Sequence, residues 1–153
     1  MQKISPFLWF DGKAEEAANL YVSLFETSEV THVTPGPGGR AQWVGFTLAG
    51  QEFMALNGGP EYSFTQAVSF FVRCKDQAEV DRLWAQLTDG GEEGQCGWLK
   101  DRFGLSWQII PDRLSELLGD PDPARSQRAM QAMLKMRKID VQGLEDAANA
   151  ADG

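Results

Sequence analysis

The sequence predicts an α+β fold built from two βαβββ units and a helical tail. Three observations predict it. The apolar spacing switches between strand-like and helix-like periods in the order strand, helix, three strands, and that order then recurs. Helix positions Ala17, Leu20, Tyr21 and Leu24 superpose on Val80, Leu83, Trp84 and Leu87 at one constant offset, and Ser5, Leu8 and Phe10 fall on Ser69, Val72 and Cys74 at nearly the same one. Beyond Pro111 every apolar pattern is helical.

The first unit opens with a strand over residues 3–10, in which Pro6 requires a position near an edge or the strand's start. After the Asp11-Gly12 turn, Ala14, Ala17, Ala18, Tyr21, Leu24 and Phe25 form the stripe of an amphipathic helix starting at Lys13. Residues 29–34 read as a short strand, Pro35-Gly-Pro-Gly-Gly39 as a loop, 40–49 as a third strand and 51–57 as a fourth. The second unit starts with a strand over 68–74. Asp76 and Glu79 then have capping-box spacing at the head of a helix that ends at Asp89-Gly90-Gly91.

An edge-like segment over 92–95 leads to a hairpin: Trp98-Leu99-Lys100, a turn at Asp101-Arg-Phe-Gly104, and a strand from Leu105 to Ile110 stopped by Pro111. Lys100 and Asp101 read as turn-flanking surface charges. Helical segments follow over 113–118, over 124–138 with methionines at 130, 133 and 136, and after Asp140; residues 147–153 are expected to fray. The tail is an appendage. Its methionines suit an adaptable contact, either with this chain's own sheet or with a second copy.

At 153 residues the chain fits a single domain, with modules over about 1–60 and 67–111 and a tail over 112–153. The net charge of −8 and the lack of a basic cluster argue against nucleic acid and anionic membranes as partners. Cys74 and Cys96 have neither disulfide-framework nor zinc spacing and read as small buried hydrophobes. No signal peptide or membrane span is apparent, so the cytoplasm is the expected location.

Candidate site residues come from strand alternation. In the last strand Ser106, Gln108 and Ile110 share one face, and a buried amide such as Gln108 requires a partner or a ligand. Ser5, Phe7 and Trp9 share a face, as do Ser69, Phe71 and Arg73. Phe7, Trp9, Phe71 and Trp98 either belong to the core or line a pocket. Burying one aromatic is worth about 1.5 to 3 kcal/mol, so four of them on a wetted surface would forgo much stability. Arg73 either neutralises an anionic ligand or pairs with a carboxylate at the rim. Asn57 either ends a strand or offers its amide to a ligand, and Ser5 and Ser69 suit small polar fillers better than nucleophiles because no base is spaced to activate them. His32 reads as exposed.

Five stretches, Ile4–Phe10 with Ala14–Ala17, Phe53–Pro60, Gln95–Gly104, Ser106–Pro111 and Ala129–Asp140, resemble the PhnB-like branch of the vicinal oxygen chelate superfamily. That group includes glyoxalases, extradiol dioxygenases and bleomycin-resistance proteins. The resemblance implies a cupped eight-stranded mixed sheet, a homodimer, and a site on the concave side. Superfamily enzymes hold a divalent metal with His or Glu side chains. The corresponding positions here are Ser5, Ser69, Gln108 and a fourth near Met54, and none is a good ligand for such an ion.

The expected function is therefore a small-molecule binding protein with an aromatic pocket, edged by Gln108, Asn57 and Arg73, and with no metal or other cofactor. One alternative is an enzyme on the same fold, either a metal-dependent lyase or isomerase or the ubiquinone-pathway methyltransferase that relatives' labels suggest. Another is a dimeric structural module whose cup is filled by its own side chains.

Overall fold

The computed structural model describes residues 2–150. The first unit ends at Phe64 and the second begins at Thr65. Unit one runs β1 (Phe7–Phe10), α1 (Ala14–Leu24), β2 (Glu29–Pro35), β3 (Ala41–Leu48) and β4 (Gln51–Asn57), with a single 3-10 turn at Pro37–Gly39. Unit two runs β5 (Ser69–Cys74), α2 (Gln77–Thr88), β6 (Glu92–Glu93), β7 (Trp98–Lys100) and β8 (Ser106–Pro111), then α3 (Asp112–Leu118), α4 (Pro123–Met133) and α5 (Val141–Asn149). The eight strands form two four-stranded mixed sheets, ordered β1-β4-β3-β2 and β5-β8-β7-β6. Both modules share one topology: the first strand pairs in parallel with the last, and the last three strands pair antiparallel in turn.

Each sheet buries one face beneath its helix. In unit one Leu8, Phe10, Val44, Phe46, Phe53 and Ala55 meet the α1 stripe of Ala14, Ala17, Ala18, Tyr21 and Leu24. In unit two Cys74, Leu99, Trp107 and Ile109 meet Val80, Leu83, Trp84 and Leu87 of α2. Burial pushes the Cys74 thiol up to about 12, with the carboxylates of Glu79 and Asp112 adding to the effect, so it packs as a neutral hydrophobe. Cys96 is only half-buried.

Several boundaries differ from the sequence reading, each for a physical reason. The first strand starts at Phe7 rather than at residue 3: the Gln2 side-chain amide donates to the carbonyls of Ile4 and Glu52 and to Ser5, holding that segment outside the ladder. The helix expected to reach Lys138 stops at Met133. Met136 and Arg137 turn their carbonyls toward the N–H groups of Cys96 and Gly97, both at 2.8 Å, and a continuing helix would need those carbonyls for itself. Gly97 is irreplaceable there: its φ is 84° and an added Cβ would lie 2.8 Å from Ile110 Cδ1.

Asp76 caps α2 as its spacing predicts, accepting from Glu79 N at 2.9 Å, while the Glu79 carboxylate accepts from Lys75 N. Asp140 precedes α5 without a side-chain cap bond; Gln77 of α2 takes that role, accepting from Val141 N at 2.7 Å and donating to Ile139 O at 2.9 Å. The tail is thus sewn to its own module. Met133 and Met136 pack against a cluster of Ile110, Leu114, Leu117, Ile139 and Leu144, which leaves Met130 and Leu134 exposed. Helix α5 continues to Asn149, past the point where fraying was expected, and residues 151–153 lie outside the described residues.

The largest departure is Asp101, which is 2% exposed rather than on the surface. One carboxylate oxygen accepts from Phe103 N at 2.9 Å and Leu105 N at 3.0 Å, and the other accepts from Trp107 Nε1 at 2.9 Å. A buried carboxylate is tolerated when several donors meet it. Replacing Asp101 by Ala strands three donors, so Asp101→Ala is expected to cost about 3 kcal/mol or more in urea unfolding, with Asp101→Asn losing less. A loss below about 1 kcal/mol would show that the hairpin does not depend on this carboxylate.

Candidate functional site

The face of each sheet away from its helix is where side chains are left open. In unit two the strand registers arrange that face as a small grid. One row is Ser69, Ser106 and Lys100; the next is Phe71, Gln108 and Trp98. The third row begins with Arg73 and Ile110, and there the tail cluster covers Ile110.

Gln108 lies between two aromatic neighbours, and its Nε2 donates to Ser69 Oγ at 2.9 Å. Phe71 is 54% exposed. Ser106 is 1% exposed, and its hydroxyl has no hydrogen-bond partner among the described residues. Buried polar atoms are almost always satisfied, so this hydroxyl stands out with bonding capacity that no described residue uses. Arg73 pairs at the rim with Asp112, Nε to Oδ1 at 3.3 Å, and its side chain is 78% exposed.

In unit one the corresponding row is Phe7, Met54, Gly45 and His32, followed by Trp9, Leu56, Trp43 and Thr34. Phe7 pairs with Met54 in parallel as Phe71 pairs with Gln108, so Met54 occupies the position equivalent to Gln108. At its centre the row carries the thioether of Met54 where its counterpart carries the amide of Gln108, and its only polar member is His32 on the edge strand. Phe7 is 53% exposed. Trp9 is held down by its own loop, donating from Nε1 to Gly59 O at 2.9 Å and meeting Tyr62 edge-on. Ser5 accepts from the Gln2 side chain at 3.2 Å.

Two residues stand elsewhere than the sequence implied. Asn57 lies in register with Phe10, on the helix-facing side, and both ends of its amide are occupied. Its Oδ1 accepts from Ala14 N at 2.9 Å, capping a helix whose own N-cap residue, Lys13, supplies no side-chain bond, while Nδ2 donates to Ala41 O at 2.9 Å. It is a fastening between β4, α1 and β3. His32 is exposed as expected, but nothing in the sequence signals that it shares a row with Met54. A register shift between Val30 and His32 brings the His32 ring over Gly45, where an added Cβ would be 2.7 Å from Cε1, and its edge meets Trp43. No composition signal reveals such a bulge.

The positions that the resemblance assigns to the superfamily's metal, Ser5, Met54, Ser69 and Gln108, carry two hydroxyls, a thioether and an amide, and Ser69 and Gln108 are bonded to each other. These donors do not fit a divalent ion, which requires several carboxylate or imidazole ligands. No group of three His, Cys, Asp or Glu side chains that could hold a metal ion occurs among the described residues. No helix among them is long and apolar enough to cross a membrane.

Two βαβββ modules of identical strand order, each with one face under a helix and one open, define a vicinal-oxygen-chelate scaffold. The sequence profile of the family described as 3-demethylubiquinone-9 3-methyltransferase matches residues 2–110. The PhnB protein from Bacillus cereus is 36% identical, over 72% of this chain and 99% of that one, with a TM-score of 0.69. Protein PA1353 from Pseudomonas aeruginosa (22% identity, 72% and 98% coverage, TM-score 0.59) shares the fold. So does a gene product of Arabidopsis thaliana (19%, 70% and 96%, TM-score 0.51). No curated protein matches. The chain belongs to this PhnB-like family of the vicinal oxygen chelate superfamily. Helices α3 to α5 lie beyond the stretch that the family profile matches.

Because Asn57 serves the fold, Asn57→Ala is expected to lower stability by about 1 to 2 kcal/mol through loss of the α1 cap, read by thermal or urea unfolding. An unchanged unfolding midpoint would return Asn57 to the list of ligand contacts.

Proposed function

We propose that the chain is a metal-free small-molecule binding protein whose site is the open sheet face of the second module. The observation that carries this reading is the buried, unpartnered Ser106 hydroxyl, in a grid with the Gln108 and Ser69 pair and the exposed Phe71. Phe71 and Trp98 flank Gln108 and offer apolar contact to the body of a ligand. The polar groups fix its orientation. Phe7, Trp9 and Met54 offer a second, more apolar surface in the first module. Arg73 pairs with Asp112 at the exposed rim and remains open to a ligand there, while Asn57 is occupied by α1 and β3 and is assigned none.

The family label of methyl transfer has less support. The glycine-rich stretch Pro35–Gly39 joins the antiparallel strands β2 and β3, not a strand and a helix, so it does not form the turn on which a nucleoside cofactor sits. A second copy is the proposed macromolecular partner, with the exposed Met130 and Leu134 as the surface it would cover.

Titration with the fluorescent probe 1-anilinonaphthalene-8-sulfonate tests the site. Phe71→Ala and Gln108→Ala are each expected to weaken probe binding about tenfold, corresponding to about 1.4 kcal/mol, while leaving the fold intact by circular dichroism. If both variants bind the probe as the parent does, this face is not the site.

A further inference from the structure

Resting on the reading that the second module's open face binds a small molecule, we infer that this molecule carries an anionic group, a carboxylate or phosphate, held in the row Ser69, Ser106 and Lys100. Cross-strand partners such as Lys100 and Ser106 place their Cβ atoms about 5 Å apart, and adjacent strands lie about 4.8 Å apart, so the three side chains stand side by side. All three have a donor to give. Ser69 Oγ already accepts from Gln108, which leaves its O–H to donate outward. The Ser106 hydroxyl is buried with no partner. The Lys100 ammonium is donor only, and its side chain is half-buried.

The charge pattern sharpens the point. The chain has 22 acidic residues against 14 basic ones, yet no carboxylate is paired with Lys100 among the described residues. Its register partner on β6, Glu92, is exposed and makes no ion pair with it, while the adjacent Glu93 is engaged by Trp84 Nε1 and Arg137. A half-buried lysine that makes no ion pair, although Glu92 stands opposite it on β6, keeps its ammonium free to take an anion from solution. The row beneath it, Phe71, Gln108 and Trp98, takes the apolar body. The ligand class is thus an aromatic or apolar molecule ending in a carboxylate or phosphate.

Calorimetry with three matched probes tests this: 3-phenylpropionate, its neutral amide and phenyl phosphate. The parent chain is expected to bind at least one of the two anions about tenfold more tightly than the amide, and the tighter anion distinguishes carboxylate from phosphate. Lys100→Met is expected to abolish that preference while leaving the affinity for the amide unchanged, and Lys100→Arg to retain it. Lys100→Gln replaces Lys100→Met if the latter fails to fold. Equal binding of anions and amide by the parent chain, or a preference that survives loss of Lys100, overturns the anion site and leaves the small-molecule reading standing. Binding of none of the three, together with no binding of 1-anilinonaphthalene-8-sulfonate, overturns both.

Discussion

The carboxylate of Asp101 determines what the last two strands present. It draws the N–H groups of Phe103 and Leu105 and the indole of Trp107 to one point, while the backbone N–H of Asp101 donates to Leu105 O across the turn. That bond set fixes the register of β7 on β8. Register in a strand is an all-or-none matter, since a slip of one residue sends every side chain to the opposite face. With Trp107 anchored beneath the sheet against Phe70, its neighbours Ser106 and Gln108 must face the open side. A fold-stabilising charge therefore sets the orientation of the groups proposed to bind a ligand. The cost of burying that charge is offset locally, by donors that would otherwise need partners of their own.

The two modules use the same topology for different ends. In the first, the equivalent row is Phe7, Met54 and Gly45, and the absence of a side chain at Gly45 is what lets His32 fold across the sheet. In the second, the row is polar at its centre, and the tail narrows it by covering Ile110. The tail keeps its place through a few specific bonds. Gln77 bridges α2 to the start of α5, and the Cys96-Gly97 turn receives the carbonyls of Met136 and Arg137. These bonds hold in place the tail that covers Ile110.

What could be read from the sequence followed periodicity. Both modules, both long helices and the face shared by Ser106 and Gln108 follow from spacings of two and about 3.6 residues, because alternation and amphipathicity are local properties. The misreadings involve partners distant in sequence. Asp101 looks like any turn aspartate until the indole of Trp107 comes round to meet it. Asn57 looks like a strand-end amide, and only the fold brings it to the head of α1, 43 residues away. The bulge that moves His32 onto the row of Met54 adds one residue to an edge strand whose composition gives no sign of it. The tail helix ends early because its carbonyls are needed by a turn far upstream, which no propensity scale registers.

On the proposed reading, the residues at the superfamily's metal positions change the physics of binding as well as the ligand set. A divalent ion attracts an anion with a concentrated charge that needs little help from its surroundings. Ser5, Met54, Ser69 and Gln108 are neutral, so on the open face of the second module the attraction is assigned to Lys100, a strongly hydrated point charge on a flexible stem, because the other cation of that face, Arg73, already pairs with Asp112. Such a charge binds less tightly and is more easily screened by salt than a metal centre. Orientation then depends on the hydroxyls and on the amide of Gln108, which its bond to Ser69 holds in place. A face built this way suits reversible recognition better than Lewis-acid chemistry. On that reading the Ser69 and Gln108 hydrogen bond, modest in energy, fixes how the amide is presented to a ligand.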